Sequence, residues 1–316
     1  MSSQAEIARD RIGHSGERGR DKSANRPWLS DITILIKTFE RPLCVAALIS
    51  SIRKFYPEVK ILVCDDGRDP LYPDGQVPIE GVRWLTLPYE MGHTLGAGRN
   101  YLIEKAGTPY VFLCDDDHKF VRATDLRRFH DFLERTKYDI AGGCQGWFDY
   151  GTACFVQRGS IIEQLFHVHG ELIEPRAVAC DRVSNTFMAR TSALRDVKWE
   201  PHVYGMEHAD FFLRAKARGL RVAQLGGVWV DHVRSAELGD GLLNQLRAFL
   251  SHHPNSAYRK ARMGAKGSEG EREAKARALE LYRKYVLDYH GVSEIRDVYR
   301  PMLSLRLYRK IGLPFL

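Results

Sequence analysis

"PYVFLCDDDHKF" (109–120) is the stretch on which the reading of this chain turns. Tyr110 to Cys114 are aromatic or apolar throughout, and the run then breaks into Asp115, Asp116 and Asp117. Short unbroken apolar runs bounded by polar turns mark strands covered on both faces, as in a parallel sheet. The same construction stands earlier in "VKILVCDDG" (59–67), which closes on Asp65 and Asp66. Open α/β sheets bind ligands at the carboxyl ends of their strands. Both acid groups therefore fall on one edge, where five carboxylates repel one another and favour a bound cation. Hard divalent cations take oxygen ligands, and Mg²⁺ is typically held by one or two carboxylates together with substrate phosphates. A single acid group is better read as solvated or as a helix cap; two groups on neighbouring strand ends reverse that preference.

Outward from these two stretches, strand and helix signals alternate. "DITILIK" (31–37) and "VRWLTL" (82–87) read as further strands. "PLCVAALISSIRKFY" (42–56) has helical apolar spacing with a proline in its first turn, and "LGAGRNYLIEKAG" (95–107) reads as a helix closed by Gly107. "ATDLRRFHDFLERT" (123–136) is a third helix, with Thr124 or Asp125 at its start. The β-α-β alternation predicts a mostly parallel, doubly wound sheet with helices on both faces. Residues 139–190 carry Gly- and aromatic-rich pieces that suggest antiparallel strands or loops, followed by a helix near 206–218 and a strand at 228–232.

The charge is uneven. The net +7 resolves into 6 Lys/Arg against 4 Asp/Glu in residues 1–28, 26 against 27 in 29–234, and 15 against 9 in 235–316. A nucleic-acid enzyme concentrates basic surface around its working site, so no nucleic acid is expected as a partner. Residues 1–28, polar and without period, read as a disordered basic tail; 29–235 as the folded domain; 236–316 as a basic helical extension. The end of that extension, "LSLRLYRKIGLPFL" (303–316), suits either an anionic membrane surface or a cap on the core. None of the six cysteines forms a C-x-x-C pair, and no apolar run reaches membrane length. A reduced, cytoplasmic protein is expected, with peripheral membrane contact only through the extension.

"KTFERP" (37–42), "ILVCDDG" (61–67), "GAGRN" (96–100), the Asp triplet, "SNTFMARTSALRDVKWEP" (184–201) and "VWVDHVRS" (228–235) together resemble the glycosyltransferases of families 2 and 12. The likeness is strongest to the β-1,4-N-acetylgalactosaminyltransferases, in the same order and with similar spacing. It implies the GT-A fold, in which a Rossmann-like nucleotide-binding half is fused to an acceptor half, and a cofactor of Mn²⁺ or Mg²⁺. It implies that Asp115 contacts the ribose or the metal through water, with Asp116 beside it in the sugar-nucleotide site, and that Asp117 and His232 ligate the metal. Thr38 and Arg41 would cradle the nucleotide, and Asp65 or Asp66 would accept from uracil N3–H. Arg99 would approach the diphosphate at a helix N-terminus, with Gly92, Gly96 and Gly98 admitting the backbone or simply permitting close packing. Asp181 and Asn185 are candidates for contacts to the sugar.

The implied reaction is inverting transfer of N-acetylgalactosamine, or a similar sugar, from a UDP donor to a glycan or glycolipid acceptor. Such transfer needs a base at the acceptor hydroxyl. In "YGMEHADFFLRAKARG" (204–219), Glu207 fits the first acid of the usual Glu-Asp pair, but His208 stands where the Asp belongs. Asp210, the acid that the ganglioside-type likeness keeps, is expected to be the base, with Glu207 in reserve. Two rival enzyme classes fit less well. The first strand–helix junction lacks the G-x-G-x-x-G of a dinucleotide-binding dehydrogenase, and it also lacks the Gly-rich basic loop of a sugar nucleotidyltransferase. A non-catalytic sugar-nucleotide-binding module is disfavoured by the intact triplet.

Overall fold

The computed structural model describes residues 26–39, 41–67, 70–72, 75, 77, 79–87, 94–145, 151–167, 170–203, 205–232 and 269–299. A short 3-10 helix at Pro27–Asp31 buries Leu29 and leads into β1 (Ile32–Thr38). Next come α1 (Pro42–Phe55), β2 (Lys60–Asp65), β3 (Val82–Thr86), α2 (Leu95–Lys105) and β4 (Tyr110–Asp115). They are followed by β5 (His118–Lys119), α3 (Leu126–Arg135), β6 (Ile140–Gln145), β7 (Ala153–Arg158) and β8 (Ile161–Phe166). The chain continues through β9 (Leu172–Glu174), β10 (Ala177–Cys180), β11 (Phe187–Arg190), α4 (Thr191–Val197), α5 (Glu207–Ala217) and β12 (Val222–His232). It closes with α6 (Glu269–Tyr289) and β13 (Glu294–Tyr299).

The main sheet runs β3-β2-β1-β4-β11-β6-β12-β10-β9, with β5 joined to β12. Its first four strands are mutually parallel; β11 enters antiparallel between β4 and β6, and β12 returns parallel to β6. The pleat sorts the apolar runs by parity. Ile34, Ile36, Ile61, Val63 and Phe112 join one core with residues of α1 and α3. Leu35, Leu62, Val111 and Leu113 join the other with residues of α2, α4 and α5. A strand covered on both faces has no polar side to show, which is why these stretches read as unbroken apolar text.

Helix starts follow local chemistry. Thr94 caps α2 by accepting from Ala97 N–H at 3.1 Å, and Asp125 caps α3 by accepting from Arg128 N–H at 3.2 Å, each cap contributing about 1 kcal/mol. The end of α2 differs from expectation: Ala106, in extended conformation, is its C-cap, and Gly107 is not among the positive-φ glycines. All six cysteines remain thiols. Cys64 and Cys114 lie in the two cores, and burial pushes Cys64 up to about 12 and Cys114 well above the usual thiol range. Both are packing residues.

Residues 269–299 are no detached appendage. Val286 and Val292 are buried, Leu287 and Ile295 pack on the second core, and β13 pairs in parallel with β8 to complete a second sheet, β13-β8-β7. Within these residues the cap reading of the C-terminal segment is the one realised. The stretch 303–316, on which the membrane reading rested, lies outside the described residues, as do residues 1–25. No helix among the described residues is long and apolar enough to cross a membrane.

Candidate active site

Register brings the acids together. Thr38 on β1 stands beside Asp65 on β2, and Lys37 beside Asp115 on β4. The carboxyl ends of these strands thus form one edge, as their text implies. What each acid does there differs, and burial decides it.

Asp116 and Asp117 are held from within. Thr38 Oγ1 donates to Asp116 Oδ2 at 2.8 Å, while Arg41 Nη1 and Nη2 reach Asp116 Oδ1 and Asp117 Oδ2, each at 2.6 Å. A planar guanidinium offers two parallel N–H groups, so one arginine can bridge two carboxylates. Burial pushes the Asp116 carboxyl up against the pull of Arg41; for Arg41, the two acids outweigh burial and raise it. Thr38 and Arg41, expected with Asp116 on the nucleotide, here brace the acids of the triplet. Asp66 is fully buried and paired with Lys37 Nζ at 2.7 Å. Asp65, also buried, accepts from Gly67 N–H at 3.1 Å and Leu71 N–H at 3.0 Å, closing its own loop, and burial above all raises its pKa. Both carboxylates, expected at the uracil, are buried and engaged by the protein's own groups. Lys37, unnoticed in the sequence, had a signal: a lysine that continues a strand otherwise apolar on both faces.

Asp115 alone of the triplet reaches out, with its side chain 30% exposed against 5% and 8% for Asp116 and Asp117. Its Oδ1 accepts from Arg99 Nη2 at 2.9 Å, and its Oδ2 from Asn185 Nδ2 at 3.1 Å. Beside it, Arg99 Nη1 and Asn185 Oδ1 are buried with no hydrogen-bond partner among the described residues. An unmet donor and an unmet acceptor thus flank one half-buried carboxylate. Buried polar groups without partners are costly, and binding a polar ligand or ordered water relieves that cost.

"GAGRN" is decoded residue by residue. A Cβ on Gly96 would lie 2.7 Å from the Glu200 carbonyl, and one on Gly98 would lie 2.7 Å from Lys37 Cγ, so both glycines serve packing. Gly92 lies outside the described residues. Asn100 clamps the backbone of Trp199 through both ends of its amide, at 2.8 and 2.9 Å. Arg99 rests 5.4 Å from the ring centroid of Trp199, which stacks on Phe211 of α5 at 3.9 Å. Trp199 is thus wedged between Arg99 of α2 and Phe211 of α5.

His118 Nδ1 accepts from Asp115 N–H at 3.2 Å, which fixes the backbone of the triplet from behind. Antiparallel pairing sets His232 opposite His118, so β12 delivers residue 232 to the strand next to the triplet. Among the described residues, no group of three or more His, Cys, Asp or Glu side chains is arranged to hold a metal ion. The donor chemistry nevertheless suits Mg²⁺ or Mn²⁺. Asp65, Asp66 and the triplet carry five carboxylates against Lys37, Arg41 and Arg99, an excess of two negative charges, and open sites that complete their shell with phosphate oxygens need few protein ligands.

On the other side of the site, α5 begins at Glu207, whose Oε2 accepts from Gly205 N–H at 2.7 Å. His208 Nε2 donates to the Val183 carbonyl at 2.7 Å, leaving Nδ1 a buried, unmet acceptor. Burial, then Arg182 and Arg99, hold this imidazole well below the ordinary histidine range. Asp210, expected to flank the acceptor hydroxyl, lies in the interior. It is 0% exposed, with Oδ2 at 2.8 Å from Arg214 Nε and Oδ1 at 3.0 Å from His290 Nε2. A carboxylate closed on both oxygens and sealed from solvent has no opening for a substrate hydroxyl. Asp181 is likewise elsewhere: it accepts from Phe155 N–H and Lys216 Nζ, both at 2.7 Å, and so ties β7 to α5.

A parallel half with a carboxylate-lined edge, joined through an antiparallel strand to a half that carries a second acidic helix start, defines the GT-A class of nucleotide-sugar folds. The family model described as "Glycosyl transferase family 2" matches residues 33–198, and the chain belongs to that family. Human β-1,4 N-acetylgalactosaminyltransferase 1 is 34% identical over 218 residues, covering 66% of this chain and 40% of that protein. Mouse β-1,4 N-acetylgalactosaminyltransferase 2 is 33% identical over 216 residues, covering 67% and 41%. The chain thus spans about two fifths of the length of these relatives. Among solved structures, GalNAc-T7 with UDP, GalNAc and Mn²⁺ superposes with a TM-score of 0.49 at 12% identity, over 64% of this chain and 43% of that one.

Proposed function

We propose that this chain transfers N-acetylgalactosamine, or a closely similar sugar, from its UDP donor to a hydroxyl of a glycan or glycolipid, with inversion at the anomeric carbon. The observation that carries the proposal is Asp115 held between Arg99 and Asn185, with an unmet buried donor and an unmet buried acceptor beside it. A diphosphate-sugar offers the matching groups, anionic oxygens for Arg99 and hydroxyl or amide hydrogens for Asn185.

Asp115 and Asp117, with residue 232 on the adjoining strand, are the positions to hold Mg²⁺ or Mn²⁺. When bound, such a cation acts as a Lewis acid on the departing diphosphate, contributing several kcal/mol. The protein's own part is positioning. Arg41 and Thr38 keep the triplet fixed, and Arg99 adds a buried positive charge on the diphosphate side. Glu207, half-buried at the opening of α5, takes the role of base in place of Asp210. It removes the proton of the acceptor hydroxyl as that oxygen attacks the anomeric carbon from the face opposite the diphosphate. His208 is a poor base, because its environment disfavours the protonated form; its unmet Nδ1 suits it to receive a hydrogen bond.

The test is a panel of UDP-sugars, each with and without Mn²⁺, read by thermal unfolding and by release of UDP. The expected outcome is Mn²⁺-dependent stabilisation by UDP-N-acetylgalactosamine above other UDP-sugars. Absence of stabilisation by every UDP-sugar, with metal present, refutes the reading.

A further inference from the structure

We propose that residues 269–299 are a working part of the active site, in which His290 is a positioning residue that acts through Asp210 to set the first turn of α5 and hence Glu207. This rests on the reading of Glu207 as the base.

The argument starts from the sealed carboxylate. Asp210 N–H donates to the Met206 carbonyl at 2.9 Å, which closes the turn containing Glu207. The side chain of the same residue is gripped from outside the helix: His290 Nε2 lies 3.0 Å from Oδ1, and the side chains are 9% and 0% exposed. A carboxylate oxygen only accepts, so His290 Nε2 is the donor. The second oxygen takes Arg214 Nε at 2.8 Å, and the Arg214 guanidinium lies 3.9 Å from the ring centroid of Tyr289, at the end of α6. Arg214 Nη2 also approaches Glu200 Oε2 at 3.4 Å, and this same oxygen accepts from Tyr285 at 3.1 Å. Glu200 follows Trp199, the ring behind Arg99. One polar network therefore joins the end of α6 to the start of α5 and to the support of the diphosphate side.

Apolar contacts through Val286 and Val292 would suffice for adhesion. Hydrogen bonds with a buried charge add direction, because they weaken steeply off axis. A buried ion pair often stabilises no better than apolar packing of the same volume, so setting a geometry is the more economical account of this one. His290, 80 residues from Asp210 in the chain, belongs to no motif and leaves no sequence signal.

The experiment compares His290→Ala and His290→Gln in the full chain. His290→Ala is expected to lower kcat for transfer by about 10- to 100-fold, the scale of a small misplacement of a reacting group, with donor KM nearly unchanged. His290→Gln, which restores an N–H donor at similar reach, is expected to recover most of the loss. Amide exchange across residues 206–211 should quicken in His290→Ala and return in His290→Gln. Unchanged exchange in those amides, or normal kcat in folded His290→Ala, overturns the proposal. Failure of the underlying reading looks different: Glu207→Gln would keep normal turnover while the exchange response to His290→Ala persists.

Discussion

Arg41 Nη2 lies 2.6 Å from Asp117 Oδ2, so a guanidinium occupies the carboxylate to which the metal is assigned. A cation bound at Asp117 would compete with arginine for one oxygen, and the balance between them should be measurable.

Arg41→Met is expected to leave two buried acids without their bridge, a loss on the order of 3–5 kcal/mol. Mn²⁺ should restore part of it, so the rise in Tm on adding Mn²⁺ should be larger in the variant than in the natural protein. Equal rises in both proteins would show that the cation does not share Asp117 with Arg41.

Glu207→Gln is expected to reduce transfer by about 10²–10⁴ with UDP-sugar affinity intact, the usual loss for a well-placed base. Asp210→Asn should lower stability, because it breaks a buried pair with Arg214, and lower kcat only by the about 10- to 100-fold expected of a lost positioning contact. Steady-state kinetics alongside thermal unfolding separates the two. A large kinetic loss in Asp210→Asn at unchanged Tm would return the base assignment to that residue.

His208 predicts an acid limit. Its folded pKa is depressed, chiefly by burial, so the unfolded chain binds this proton first as pH falls. Its contribution is intact above the unfolded value of about 6.5 and is lost as pH drops from there toward the folded pKa. Denaturant titrations at pH 7 and pH 5 should show a smaller fall for His208→Gln, which keeps a donor for Val183. The same fall in both proteins would remove His208 as the cause.

Gly98→Ala sets two effects against each other. Alanine in a helix gains up to about 1 kcal/mol over glycine, but the new Cβ would meet Lys37 Cγ at 2.7 Å. Lys37 cannot withdraw cheaply, because its ammonium is buried against Asp66. Overpacking of this kind costs about 1–3 kcal/mol, so net destabilisation is expected by chemical unfolding. A stabilised variant would mean that Lys37 has room to move.

The apolar runs and the acids that end them were enough to specify the parallel half of the sheet and the edge where its carboxylates gather. Strands such as "YVFLC" are covered on both faces, so their apolar character survives in one dimension, and the acids that end them are visible as neighbours in the text. Motif order also carried the family. Which acids stay accessible depended on packing between distant segments. Asp115 and Asp116 are adjacent in the chain, yet one is exposed and the other is locked by Thr38 and Arg41, more than seventy residues away. The i, i+3 spacing of Glu207 and Asp210 suggested a shared cleft, but His290, arriving from a distant helix, closed one of them off. Burial and ion pairing are set by groups remote in sequence, so a local pattern can place a carboxylate on an element but cannot say whether water, an arginine or a substrate will meet it.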